Sequence, residues 1–149
     1  MVMMNTCSEV VSLARELETQ AAKFYEDLSK RYDEGKEMFL AFVKGNEDYV
    51  TQVERAYYGV ITDAFEGCFA FNMNPGKHRF DTKLAKKAGY SDAVAKALAI
   101  EEKMVRFYQE AAEQSKSLMA DIPRSMKLVA RKRGDRVEKL KSLLKKKKK

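Results

Sequence analysis

The amino-acid sequence predicts an all-α protein. Four long helices form one bundle, arranged as two helical hairpins joined by a long crossover between the second and third helices. Three observations lead to this fold class. Apolar residues recur at alternating spacings of three and four along four long stretches, the period of a helix with one buried face. No stretch alternates between apolar and polar residues as a half-buried strand does. The connections between the stretches are short, long and short, as in bundles with a single crossover.

The chain has the size and composition of one domain with its own core. It contains 149 residues, of which 45% are apolar. We predict that residues 1–144 form the bundle and that the five lysines at 145–149 form a disordered tail. No apolar run is long enough to span a membrane, and the chain does not begin like a signal peptide, so the prediction is a cytoplasmic protein. Cys7 and Cys68 are then expected to be free thiols.

The first helix is predicted to run from a capping box to a glycine. Thr6 and Glu9 stand at the spacing of a capping box, which opens a helix. Neither proline nor glycine follows before Gly35, so we expect the helix to continue to Glu34. Its apolar seam consists of Val11, Ala14, Glu18, Ala21, Tyr25, Leu28 and Tyr32.

The second helix is predicted to begin near Lys36 and to end near Phe65. Its seam consists of Phe39, Phe42, Asn46, Tyr49, Val53, Ala56 and Val60. Gly45 and Gly59 lie inside this helix, although each glycine weakens a helix by about 1 kcal/mol. We interpret both as small residues that let a neighbouring helix approach closely.

The crossover is predicted to occupy residues 67–91, which are rich in glycine, asparagine and other turn residues. Within it, Asp81 to Ala88 is expected to form a short helix. Ser91 and Asp92 are then expected to cap the third helix, which ends near Ala120. The seam of the third helix consists of Val94, Ala97, Glu101, Met104, Tyr108, Ala111, Ser115 and Leu118.

The fourth helix is predicted to begin at Asp121, with Pro123 in its first turn, and to end near Leu144. Its seam consists of Met126, Val129, Arg133, Arg136, Leu140 and Leu143.

A ten-residue stretch occurs twice and relates the two hairpins to each other. The copies are residues 16–25 and 99–108, and each ends in Phe-Tyr. Aligning these endings places Glu18 on Glu101, seven residues before Tyr25 and Tyr108 respectively. The two hairpins are therefore predicted to be internal copies with matching carboxylates.

Each seam carries polar residues at its centre, which predicts a buried site. A carboxylate on a core seam is costly unless a partner compensates it. Arginine offers a fixed positive charge and a planar set of donors that fits a carboxylate. We therefore predict that Arg133 and Arg136 pair with Glu18 and Glu101. Asn46 and the hydroxyls of Tyr25, Tyr49 and Tyr108 are expected to satisfy the remaining polar atoms.

The sequence resembles the rubrerythrin and ferritin-like family in three of its helices. The first helix carries Glu18-x-x-Ala21-x-x-Phe24-Tyr25, and the third carries Ile100-Glu101 followed by Phe107-Tyr108. The fourth reads Arg136-Val-Glu-Lys-Leu140 where the family usually reads His-x-x-x-Leu. The resemblance covers roughly residues 8–144 and implies a ferritin-like bundle. Members of the family commonly hold two irons or other metals and act as peroxidases, ferroxidases or oxygenases.

The resemblance also implies that the metal site is degenerate in this chain. The family's metal-site positions correspond here to Glu18, Asn46, Tyr49, Glu101, Arg133 and Arg136. Only Glu18 and Glu101 retain a suitable ligand type, and no cysteine pairs of a rubredoxin-like module follow the bundle. This comparison implies no cofactor and a structural, binding or assembly role without catalytic residues.

Two further functions remain open from the sequence. The first is an oxidoreductase that uses iron or another divalent metal with nonstandard ligands. In a slightly rotated register, Glu18, Glu47, Glu101 and Asp135 form an all-carboxylate site for one hard cation. The only histidine, His78, lies in the crossover and is expected to be exposed rather than a ligand.

The second open function is binding to nucleic acid or another anionic surface. The net charge is +7, and residues 124–149 alone carry 13 basic and 2 acidic side chains, or +11. The rest of the chain therefore sums to 7 − 11 = −4. The tail Lys145–Lys149 is the expected point of such contact.

We also expect a homodimer, with the aromatic-rich residues 57–71 beside its interface.

Overall fold

A computed structural model describes residues 3–60, 71–116 and 121–147. Within these ranges the chain is helical, with no strand, so the all-α prediction is confirmed for them. The helices are α1 (Cys7–Arg31), α2 (Lys36–Val60), α3 (Pro75–His78), α4 (Tyr90–Gln114) and α5 (Asp121–Lys147). None of these helices combines the length and the apolar character needed to cross a bilayer.

The predicted capping box opens α1. The Thr6 side chain accepts a hydrogen bond from the Glu9 backbone, and the Glu9 carboxylate accepts one from the Thr6 backbone. The helix ends at Arg31, three residues before the predicted end at Glu34. Gly35 makes the turn instead, with a φ of 81° that favours glycine. A Cβ at this position would lie 2.5 Å from the Tyr90 hydroxyl, so the close approach also requires glycine.

The crossover contains a helix at a different place from the prediction. Pro75–His78 forms a short helix, in which the Asn74 side chain accepts from Gly76 N and Pro75 stands in the first turn. Asp81 to Ala88 is not helical, so that prediction is wrong. The Asp81 carboxylate accepts from Lys83 N, a local bond that competes with a helical turn. The predicted end of α2 at Phe65 lies outside the described residues, as do Cys68 and the packing of Gly59.

Helices α4 and α5 begin close to their predicted starts, but neither ends at its predicted end. Gly89, not Ser91, precedes the first residue of α4, and the Asp92 carboxylate accepts from Gly89 N at 2.9 Å. The helix ends at Gln114 and not near Ala120. In contrast, α5 continues to Lys147, past the predicted end near Leu144 and three residues into the segment predicted as a tail.

The four long helices enclose one core. Helix α1 packs against α2, and α4 packs against α5, while α2 also contacts α5 and α1 contacts α4. The seam positions whose side chains the structure describes are buried, except Tyr32, Ala56 and Leu143, which are half-buried. In α2, Tyr57 is buried beside Ala56. The polar centres of all four seams therefore face the same interior.

Candidate functional site

Six side chains from the four long helices meet in the middle of the core, and all are buried. They are Glu18, Asn46, Tyr49, Glu101, Arg133 and Arg136. These are the six positions singled out in the sequence, and periodicity predicted their burial. The predicted pairing of the arginines with the two glutamates is also present. We call this cluster the arginine–carboxylate network.

Arg133 lies at the centre of the network, between the two carboxylates. Its Nη1 donates to both oxygens of Glu101 at 2.7 Å. Its Nε donates to Glu18 Oε2 at 3.1 Å, and its Nη2 donates to Glu18 Oε1. The side chain is 0% exposed, and all three of its nitrogens are engaged with carboxylate oxygens. One guanidinium thus joins α1, α4 and α5 through charge-assisted hydrogen bonds.

Two tyrosine hydroxyls donate hydrogen bonds to the two carboxylates, one from α1 to α4 and one from α4 to α1. Tyr25 on α1 donates its hydroxyl to Glu101 Oε2 at 2.5 Å. Tyr108 on α4 donates to Glu18 Oε2 at 2.6 Å. Each copy of the repeated stretch therefore supplies a donor to the carboxylate of the other copy. Burial, followed by the neighbouring carboxylate, raises the pKa of both hydroxyls well above the ordinary tyrosine value, so both remain donors at neutral pH.

Arg136 lies beside uncharged acceptors and not between the two carboxylates. Its Nη1 donates to Asn46 Oδ1 at 2.6 Å, and its Nη2 donates to the Phe42 carbonyl at 2.8 Å. Its nearest approach to a carboxylate is 3.5 Å, to Glu101 Oε2. The guanidinium lies 4.4 Å from the centre of the Phe42 ring and 5.0 Å from that of Tyr49. Arg136 is therefore held mainly by carbonyl oxygens and rings.

Gly45 makes room for the Arg136 guanidinium. A Cβ at this position would lie 2.4 Å from Arg136 Nη2, well inside contact distance. The sequence assigned Gly45 to close packing between helices, and the structure gives it a more specific role. The lack of a side chain at Gly45 lets the Arg136 guanidinium reach the Phe42 carbonyl of α2.

Asn46 and Tyr49 orient the two arginines in different ways. Asn46 Oδ1 accepts from Arg133 at 3.2 Å and from Arg136 at 2.6 Å, while its Nδ2 donates to the Glu18 carbonyl at 3.1 Å. The Tyr49 ring lies 5.0 Å from each guanidinium carbon. The prediction that its hydroxyl would satisfy the carboxylates is wrong, since no hydrogen bond described in the structure joins them. The ring of Tyr49, and not its hydroxyl, contacts the two guanidiniums.

The electrostatics of the network centre on Arg133 and Glu18. Two carboxylates and two guanidiniums give it no formal net charge. Burial opposes the charge of Arg133, but Glu101 and Glu18 together raise the pKa of Arg133 well above its usual value. Burial raises the pKa of Glu18 and outweighs the opposing effects of Arg133 and of the Tyr108 hydroxyl. Arg133 therefore provides the fixed charge, and Glu18 is a carboxylate that acid can neutralise.

The residues present do not fit a pair of metal ions. A cation between Glu18 and Glu101 would need the space and the oxygen lone pairs that Arg133 occupies. From α2 and α5 the residues facing this space are Asn46, Tyr49, Arg133 and Arg136, and an arginine is not a usual metal ligand.

The alternative all-carboxylate register is wrong. It needs Glu47 and Asp135 in the core, and both side chains are exposed. Over the described ranges, no three histidine, cysteine, aspartate or glutamate side chains come close enough together to hold a metal ion.

His78 is buried, contrary to the prediction of an exposed loop histidine. It is 2% exposed, and its Nε2 lies 2.9 Å from Glu110 Oε2. Its ring packs edge-on against Phe107 at 5.3 Å. Burial lowers the pKa of His78, and Glu110 only partly opposes this effect. The cap at Asn74 and Pro75 is the sequence signal that places this residue in a helix, but its packing on α4 is a tertiary contact.

Comparisons with models of protein families, with curated proteins and with solved structures each find no significant match to this chain. The resemblance to the rubrerythrin and ferritin-like family therefore depends on the motifs in the sequence. A functional assignment has to come from the chemistry of the arginine–carboxylate network and of the surface.

Proposed function

We propose that this protein is a rubrerythrin-like, ferritin-like bundle in which the arginine–carboxylate network stands in place of a di-metal centre. Its role is structural, in binding or assembly, rather than redox catalysis. The observation that carries this proposal is the position of Arg133. Its guanidinium lies between Glu18 and Glu101 and hydrogen-bonds to all four of their oxygens.

The chemistry of a guanidinium supports this role. It supplies the positive charge that two buried carboxylates need, so the core remains stable with both glutamates in place. However, it does not change oxidation state, and it offers no open coordination position to an oxidant or a substrate. The network can therefore hold four helices together, but it lacks the properties of a redox centre.

The matching hairpins support the relationship to the family. The Tyr25–Glu101 and Tyr108–Glu18 hydrogen bonds are equivalent under the internal repeat. A repeat that keeps paired inward carboxylates is expected for a bundle derived from a metal-binding ancestor. In this proposal, the partners of the carboxylates on α2 and α5 have changed while the carboxylates have not.

Metal analysis of the untagged protein tests the proposal. Cells are grown with added iron and manganese, and the purified protein is analysed by elemental mass spectrometry. We expect substoichiometric metal. Stoichiometric iron, manganese or zinc that is lost in Glu18→Gln and kept in Glu16→Gln would overturn the proposal and favour a metal-dependent oxidoreductase. Glu16 is a suitable control because it is an exposed carboxylate on the same helix.

An assembly role further predicts a homodimer with an interface near Tyr58. This side chain is 59% exposed and packs against Tyr57. The wild type is expected to be dimeric by sedimentation at micromolar concentration, and Tyr58→Lys is expected to shift it towards the monomer. A monomeric wild type would contradict this part of the proposal.

A further inference from the structure

Exposed lysines from two distant parts of the chain lie at one end of the molecule. We call this region the basic end, defined by Lys83, Lys86, Lys87, Lys139, Lys141, Lys145 and Lys146. All seven side chains are exposed. In the part of the chain that the structure describes, the ion pairs involve other basic residues, and none of these seven takes part in one.

Side-chain hydrogen bonds fix the crossover lysines beside the end of α1. Arg31 Nη2 donates to the Ala85 carbonyl at 2.5 Å and to the Lys86 carbonyl at 2.7 Å. The Tyr32 hydroxyl donates to the Ala88 carbonyl at 2.6 Å. The turn that carries Lys86 and Lys87 is therefore attached to the connection between α1 and α2.

The last turns of α5 reach the same end. Lys139 lines a surface cleft together with Asp33, Gly35 and Lys36, which belong to the α1–α2 connection and the start of α2. Beyond Lys139 the helix continues to Lys147, rising about 1.5 Å per residue. Exposed acids also lie in this region, among them Asp33, Glu34, Glu37, Asp81, Asp92 and Glu138, but the seven lysines together with Lys30, Arg31 and Lys36 outnumber them. The basic end is therefore built by the fold and is not limited to the terminal lysine run.

Apolar side chains accompany the lysines. Leu40, in the second turn of α2, is 45% exposed. Leu143 and Leu144 are half-buried at the edge of the core, between Lys141 and Lys145. Lysines next to partly exposed leucines suit a surface with anionic headgroups above an apolar layer.

The groups that nucleic acid would need are already engaged at this end. The rings of Tyr32 and Phe39 each pack edge-on against Tyr90, so these rings are not presented to stack on bases. The Arg31 guanidinium is directed at backbone carbonyls. The remaining cations are lysines, which act as point charges towards a diffuse anionic surface.

We propose that the basic end docks this protein peripherally on an anionic lipid bilayer. The lysines of the crossover and of α5 contact the headgroups, and Leu40 contacts the boundary of the acyl layer. The attraction is electrostatic and additive over the lysines, and no helix enters the bilayer. This inference does not depend on the chemistry of the arginine–carboxylate network.

Flotation with vesicles tests the docking. The full chain is mixed with vesicles of phosphatidylcholine alone or of phosphatidylcholine with phosphatidylserine. We expect binding only to the second kind, with an affinity that falls as salt is added. Replacing Lys83, Lys86 and Lys87 together by glutamine should weaken binding by about 100-fold, since each lysine contributes about fivefold. The matched control replaces Lys23, Lys116 and Lys127, which are exposed elsewhere on the protein, by glutamine. This control variant should weaken vesicle binding far less.

Three results would overturn the proposal. One is an absence of binding to phosphatidylserine vesicles. Another is equal weakening by the two triple variants, which would indicate only a response to net charge. The third is tight binding to a fluorescent DNA duplex without binding to vesicles, which would assign the basic end to nucleic acid. Leu40→Ser supplies a separate check, because it should weaken vesicle binding while leaving the salt dependence unchanged.

Discussion

Replacing Gly45 by alanine is the sharpest test of the network. In an open helix interior, alanine is more favourable than glycine by about 1 kcal/mol. Here the new Cβ would lie 2.4 Å from Arg136 Nη2. The guanidinium has little room to move aside, since it is buried among the rings of Phe42, Tyr25 and Tyr49.

The expected loss in the free energy of unfolding follows from the two hydrogen bonds that the substitution would break. Displacement of the guanidinium breaks its bonds to the Phe42 carbonyl and to Asn46 Oδ1, which are 2.8 and 2.6 Å long. A buried hydrogen bond to a charged group contributes about 1.5–3 kcal/mol, so two contribute about 3–6 kcal/mol. After the helix gain is subtracted, Gly45→Ala should lower the free energy of unfolding by about 2–5 kcal/mol.

Gly134→Ala is the matched control for this substitution. Gly134 also lies inside a long helix, but a Cβ there meets nothing within 4 Å. Gly134→Ala should therefore stabilise the protein by up to about 1 kcal/mol. Both variants are measured by urea unfolding. If Gly45→Ala stabilises the protein as Gly134→Ala does, Arg136 is not held where the structure places it. In an Arg136→Ala background the penalty of Gly45→Ala should largely disappear.

Three further predictions concern buried charges. Glu18→Gln should lower the free energy of unfolding by about 3–5 kcal/mol, because the amide nitrogen of glutamine cannot accept the hydrogen bonds that Arg133 and Tyr108 donate to the two Glu18 oxygens. Arg133→Ala leaves Glu18 and Glu101 facing a cavity, so millimolar guanidinium ion should raise the melting temperature of this variant and not that of the wild type. His78 has a lowered pKa in the folded state, so the unfolded chain takes up its proton more readily. Stability should therefore fall as the pH drops below about 6.5, and His78→Asn should reduce this loss.

Each of these predictions has a result that contradicts it. A Glu18→Gln protein as stable as Glu16→Gln would mean that the buried ion pair contributes nothing. Guanidinium that lowers the melting temperature of Arg133→Ala and wild type equally would mean that no cation site opens. For His78, unfolding is measured between about pH 7.5 and about pH 5.5, which spans the ordinary histidine pKa. Identical pH dependence in His78→Asn and the wild type would refute the assignment to His78.

Much of the core could be predicted from spacing alone. Glu18 and Glu101 stand on their apolar seams at the positions that a helical period requires, so the spacing is sufficient to predict their burial. Because buried charge needs compensation, the arginines on the α5 seam were the natural partners. Helix starts were also predictable where a side chain caps the backbone, as Thr6 does.

Other features depend on contacts between distant parts of the chain. The burial of His78 results from the packing of a four-residue helix on α4, and no local pattern encodes it. Lys86 and Lys145 are brought to the same end by the Arg31 bonds to the crossover and by the length of α5. The contribution of Tyr49 through its ring could not be inferred from its position on a seam.

Helical period and apolar spacing are enough to place two carboxylates and two guanidiniums in the core, because they decide which side chains face inward. The different roles of the two arginines depend on tertiary contacts. Arg133 and Arg136 are one turn apart on the same face of α5, so spacing treats them as equivalent. The placement of α5 against α2 puts Arg133 between the carboxylates. Gly45 opens a separate space in α2 for Arg136, next to the Phe42 carbonyl.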